Sequence, residues 1–136
     1  MERLKERIEV ASKVLSTLKV LTAISTLSDI ERDAMIQRFE YSFEATWKAV
    51  KRYLEVVEGV TVSSPKSVIR ASFETNLLND SESRQALAMV DDRNLTSHTY
   101  NEKLSKEITS RIPEHYKILE KWISTLKNNF SVRGED

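Results

Sequence analysis

The amino-acid sequence predicts an all-α fold: an antiparallel up-and-down bundle of essentially four helices, one of them interrupted. Apolar residues recur every three to four positions through most of the chain, the period of a helix with one buried stripe. The chain holds only two Gly and two Pro in 136 residues, too few turn residues for a sheet or for many connections. Start and stop signals for helices stand at the places where the apolar stripes begin and end.

The first helix runs from Glu2 to about Ile24, with Leu4, Ile8, Val14, Leu15, Leu18 and Leu21, joined by Val10 and Ala11, as its apolar side. Ser28 followed by Glu31 is a capping box that starts the second helix. That helix carries Met35, Phe39, Phe43, Trp47, Val50, Leu54 and Val57 on one stripe, all read as core, and ends at Gly59, a residue suited to a helix C-terminus. Ser64 and Pro65 open the third helix, Pro65 at its first position. Val68, Ala71, Phe73 and Leu77 or Leu78 form its apolar side, and Asn79-Asp80-Ser81 breaks it. A fourth helix turns Ala86, Leu87, Met89 and Val90 inward. Thr99 and Glu102 form a second capping box, which starts the last helix at Tyr100. It passes Pro113, a kink or restart, and continues through Ile118, Leu119, Trp122, Ile123 and Leu126. Residues 1–130 make one domain; Ser131–Asp136 is expected to fray.

Composition narrows the function. There is no Cys, so disulfides and thiolate metal sites are excluded, and with two distant His a transition-metal site is not expected. No stretch is apolar for long enough to span a bilayer, no signal-peptide core opens the chain, and a cytoplasmic protein is expected. Lys plus Arg and Asp plus Glu balance at 21 each, so nucleic acid is not held by overall charge. No Gly-rich phosphate loop occurs.

The stretch DDRNLTSHTY, Asp91–Tyr100, interrupts the helical pattern with hydroxyl residues around one of the two histidines. A histidine exchanges protons near neutrality, and an arginine binds phosphate in a planar fork. Together they supply what phosphodiester cleavage needs. On a straight helix Arg93 and His98 would lie about 140° apart. A helix break at Thr99 would place His98 beside a helix N-terminus, which favours phosphate. Spacing alone favours reading His98 as an ordinary, partly exposed turn residue. Asp91 and Asp92 read as solvated helix-end acids, His115 as a surface residue, and Glu102 as the partner in the capping box.

Beginning at Arg93, RNLTSHTY resembles the signature of the HEPN superfamily, in the Arg-x4-His-x-Tyr form of the toxins paired with minimal nucleotidyltransferases. The stretches RFEYSFEATWKAVKRYLE and SPKSVIRASFETNLL are similar to further helices of the nucleotidyltransferase substrate-binding proteins, so the likeness extends over roughly Ser28 to Leu126. The resemblance implies a helical bundle that forms a homodimer with the motif at the dimer cleft. It implies metal-independent RNA cleavage that needs no cofactor and leaves a 2′,3′-cyclic phosphate. Arg93 would stabilise phosphoryl charge, His98 would transfer protons and Asn94 would orient the site. Tyr100 would be the residue to which a nucleotidyltransferase antitoxin adds AMP, within a hetero-oligomer. A different reading is a non-catalytic binding subunit that presents substrate to the nucleotidyltransferase.

Overall fold

The computed structural model describes the backbone of residues 2–134 and the side chains of residues 3–130. Five α-helices follow in order: α1 (Glu2–Thr22), α2 (Asp29–Tyr53), α3 (Pro65–Glu74), α4 (Asp80–Leu95) and α5 (Glu102–Gly134). A π-helical turn, Leu54–Glu58, prolongs α2, and a 3-10 turn, Thr96–His98, follows α4. The long helices α1, α2 and α5 pack on one another, while α3 and α4 form a shorter pair lying on α2 and α5. The all-α bundle is therefore the architecture, and the motif forms its joint between α4 and α5.

Local chemistry explains the boundaries. Ser28 and Glu31 close the expected capping box, with Glu31 N–H donating to Ser28 Oγ at 3.1 Å and Ser28 N–H to Glu31 Oε1 at 2.9 Å. Ser64 does the same with Ser67 ahead of Pro65. Asn79 is more than a breaker: its side chain accepts from Glu82 N–H at 2.8 Å, and Glu82 caps in return, so Asn79 opens α4. Gly59 ends the π-helical turn with φ +68°, its N–H donating to Leu54 O. A Cβ there would meet nothing within 4 Å, so the cost of a side chain lies in the left-handed backbone alone. Gly59→Ala is expected to lower stability by about 1 kcal/mol in urea denaturation.

The core follows the predicted stripes with named exceptions. Leu4, Ile8, Ala11, Leu15 and Leu18 are buried on α1, whereas Val10 is exposed. On α3 the inward position belongs to Ser72 and not to Phe73, which is exposed. The Ser72 hydroxyl accepts from Trp122 Nε1 at 3.1 Å and donates to Val68 O at 2.8 Å, so an indole N–H inside the core has its partner. Trp47 is only half-buried and lies at the edge of the core.

Helix α5 begins later than expected. Asn101, not Thr99, caps it: Leu104 N–H donates to Asn101 Oδ1 at 3.1 Å and Ser105 N–H to Asn101 O at 2.9 Å. Thr99 Oγ1 instead donates to Thr96 O at 2.9 Å, which closes the 3-10 turn. Pro113 does not end the helix, because Ile108 and Ile112 before it and Leu119 and Trp122 after it enter the same core. Helix α5 reaches Gly134, into the segment expected to fray; the side chains of residues 131–136 and the backbone of 135–136 lie outside the described residues. Among the described residues no helix is long and apolar enough to cross a membrane.

Candidate functional site

Arg93 stands in the last turn of α4 and faces α2. Its guanidinium reaches Glu44 Oε1 at 3.6 Å and Glu40 Oε2 at 3.9 Å, and Thr96 Oγ1 at 3.4 Å. Glu40 and Glu44 are one turn apart on α2, so both carboxylates meet one cation. The pairs are long and partly exposed, worth no more than about 1 kcal/mol each. They hold the guanidinium against α2. Arg93 Nε is buried and donates to nothing among the described residues.

The 3-10 turn sets the other side chains. Thr96 Oγ1 donates to Arg93 O at 2.7 Å, pinning the turn to the end of α4. The turn then projects His98 into solvent, and Asn101 N–H donates to His98 O at 3.1 Å as the chain bends toward α5. Tyr100 is 86% exposed, and its ring meets the His98 imidazole edge to face, with centroids 6.0 Å apart. Asn94 is also exposed. Within one chain, then, His98 and Tyr100 are together, while Arg93 is engaged by α2; among the described residues no hydrogen bond joins Arg93 to His98.

Two expectations are overturned beside the motif. Asp92 is not a solvated helix-end acid; it is 6% exposed. His115 is not a surface residue; it is 7% exposed and stacks on Phe39, with ring centroids 5.4 Å apart. Asp92 takes a bidentate contact from Arg111, Nε and Nη2 each at 2.8 Å, and His115 Nε2 lies 2.7 Å from Asp92 Oδ2. Burial pushes the Asp92 carboxyl up, but the hydrogen bonds and charges of Arg111 and His115 together hold it below its ordinary value. Asp91, by contrast, is exposed and pairs with Lys66 at 3.1 Å. The network clamps the last turn of α4 to α5, immediately before Arg93.

These signals were present in the sequence. His115 falls in the series Ile108, Ile112, His115, Leu119, Trp122, Leu126, which alternates steps of four and three and marks one helix face. Asp92 falls between Met89 and Thr96 on the equivalent face of α4.

Comparison with known proteins defines the class. The chain belongs to the family of nucleotidyltransferase substrate binding protein like proteins, whose model matches residues 3–128. Among solved structures, it is similar to a protein from Thermus thermophilus at 52% identity and TM-score 0.83, over 85% of this chain and 98% of that one. It shares its fold with a tri-AMPylated Shewanella oneidensis HEPN toxin solved in complex with MNT antitoxin, at 16% identity and TM-score 0.74, over 92% and 96% of the chains. It shares it also with a chain of a mutant MntA–HpeT toxin–antitoxin structure, at 15% identity and TM-score 0.76, over 94% and 99%. No curated protein matches the chain. The HEPN-type fold expected from the octet at Arg93 is thus the fold the chain has.

Proposed function

We propose that this protein is the toxin of a toxin–antitoxin pair, a metal-independent cytoplasmic endoribonuclease silenced by a nucleotidyltransferase that adds AMP to Tyr100. One observation carries the reading: Tyr100 is 86% exposed with its ring against His98, so an adduct on its phenol oxygen stands at the acid–base residue. The structural neighbours solved as toxin–antitoxin complexes, one of them a tri-AMPylated toxin with MNT antitoxin, support the partner class.

The chemistry needs no metal, because RNA brings its own nucleophile. The 2′-hydroxyl loses its proton to an imidazole and attacks the adjacent phosphorus. The bond to the 5′-oxygen breaks, that oxygen takes a proton, and a 2′,3′-cyclic phosphate remains. Arg93 exchanges Glu40 and Glu44 for the phosphoryl oxygens and balances their charge. Asn94, exposed one residue on, orients the strand or a facing residue. His115 is committed to Asp92, so the second proton carrier is His98 of a second copy, brought in by a two-fold axis. In the silenced state the Tyr100 oxygen carries AMP as a phosphodiester, whose negative charge and volume lie where RNA phosphate would sit.

The test is cleavage of RNA in excess EDTA by protein prepared without any nucleotidyltransferase. Persistent cleavage ending in cyclic phosphate supports the reading. Complete loss on chelation, or no cleavage of a broad RNA panel by folded dimer with unmodified Tyr100, defeats it. Tyr100→Phe is expected to cleave as the parent does, yet to stay active after incubation with the nucleotidyltransferase and ATP, because only the phenol oxygen is lost.

The non-catalytic binding subunit is favoured by one feature, the two carboxylates already occupying Arg93 in a chain of zero net charge. It predicts tight association with the nucleotidyltransferase and no turnover.

A further inference from the structure

We propose that the groove between α1 and α2 is a phosphate-binding track for the RNA strand whose scissile bond lies at the motif, an assignment that rests on the ribonuclease reading above. Arg3 and Arg7, one turn apart on α1, face Lys48, Lys51 and Arg52 of α2 across a cleft of about 300 Å³ that has Trp47 in its wall. Five cations there meet a single lining carboxylate, Glu55, a formal charge of +4 in a chain that totals zero. Glu55 is shared between Lys51 at 3.8 Å and Arg52 at 3.4 Å, and cannot neutralise both. Among the described residues no ion pair engages Arg3 or Arg7. Glu6 lies on the adjoining shelf beside them, and the cations still outnumber the acids there.

Two residues of its lining also carry unpartnered donors. Trp47 Nε1 and Arg52 Nε are both buried and donate to nothing among the described residues. A buried donor without an acceptor is costly to leave unpaired. Both residues line the basic cleft, whose excess of cations suits an anion rich in acceptor oxygens, which a phosphate is. The Trp47 ring, itself part of the lining, offers a surface on which a base can stack.

The groove and the motif share one carboxylate. Glu44, which holds Arg93 at 3.6 Å, also holds Lys48 at 3.6 Å, so the first cation of the groove stands one carboxylate away from the cleavage arginine. Lys48, Lys51 and Arg52 span about 6 Å of α2, with Arg3 and Arg7 facing them from α1. Positive charge on both walls of the groove, beginning one carboxylate away from Arg93, suits the successive phosphates of a strand.

The experiment measures RNA affinity by fluorescence anisotropy on His98→Ala protein, so that binding is read without turnover. A labelled single-stranded RNA long enough to cover motif and groove is titrated over a range of salt. Into this protein are placed Arg7→Gln with Lys51→Gln, and separately Trp47→Phe, which keeps the ring and removes the N–H. Circular dichroism establishes that each variant is folded. The double variant is expected to bind RNA about tenfold more weakly. Its slope of log affinity against log salt should be shallower by about 0.7 for each phosphate that is no longer neutralised. In the otherwise unaltered protein the same pair should raise KM for long RNA and leave kcat for a dinucleotide unchanged. Trp47→Phe should weaken RNA binding without altering the salt dependence. RNA affinity and salt slope untouched in both variants would overturn the assignment. So would losses confined to ATP, which would make the groove a free-nucleotide site, or confined to the nucleotidyltransferase, which would make it a protein-docking surface. A failed ribonuclease reading shows differently: the unaltered protein then has no turnover, whatever the groove variants do to RNA affinity.

Discussion

Replacing His98 with alanine is expected to lower RNA cleavage by about 10²–10⁴-fold while leaving the fold intact. The size follows from removing the proton-transfer group for both copies of the proposed dimer at once, since each copy supplies the same residue. The selectivity follows from where His98 sits. Its side chain is exposed in a 3-10 turn, and its one ring neighbour is Tyr100, itself almost fully in solvent. Nothing in the core leans on it, so the melting temperature should stay within a few degrees of the parent's. Arg93 differs in this respect. On the proposed mechanism Arg93→Ala would also abolish cleavage, but it would leave Glu40 and Glu44 facing each other across a turn of α2 without their cation, so its loss mixes chemistry with local repulsion. Cleavage undiminished in His98→Ala would remove the acid–base role and leave the binding-subunit reading. Cleavage lost together with a large fall in melting temperature would show that the exposed turn has a structural role that its contacts do not indicate.

What could be read in advance, and what could not, divides along physical lines. Helix starts were legible because capping is local: Ser28 with Glu31 and Ser64 with Pro65 need only three or four residues to declare themselves. The motif was legible for a different reason, since Arg93, His98 and Tyr100 lie within eight consecutive residues of one joint. The cap of α5 was misplaced because Thr99 and Asn101 are both good caps two residues apart, and the 3-10 turn, which uses Thr99 to bind Thr96, decides between them. Glu40 and Glu44 were not legible as partners of Arg93. Their role depends on how α2 lies against α4, and no local pattern encodes that packing. Asp92 and His115 are the instructive case. Their positions on the inward faces were in the spacing, but polar identity argued for solvent, because a charged residue in a core is costly unless paired. Each is tolerated only because the other, with Arg111, is there, and a single residue read by itself cannot reveal its partner 23 positions away.

That pairing sets a large stability effect. Asp92→Ala removes the carboxylate that satisfies His115 and Arg111, and leaves the imidazole buried without a partner. Breaking a buried pair by deleting one member costs about 3–5 kcal/mol. The Arg111 side of this network is about half-exposed, so solvent screens its share, and the expected loss lies near the lower bound, about 3 kcal/mol. For a chain of this size that is a fall in melting temperature of about 10 °C. The acid limb supplies an independent check. The folded Asp92 carboxyl is held below its ordinary value, so at moderately acidic pH the unfolded chain binds the proton first. The stabilisation is therefore fully present above the unfolded value of about 3.9 and is lost as pH falls from there through the folded value. Asp92→Asn keeps the shape and removes the titration, so its stability should be lower than the parent's at neutral pH and should fall less steeply below about pH 4. Parallel acid limbs for the two proteins would mean that Asp92 is not the group being protonated. The consequence reaches the site, because the Asp92 clamp holds the turn of α4 from which Arg93 projects. Cleavage by Asp92→Asn should then weaken at temperatures well below its melting point, as Arg93 loses its fixed position before the bundle as a whole unfolds.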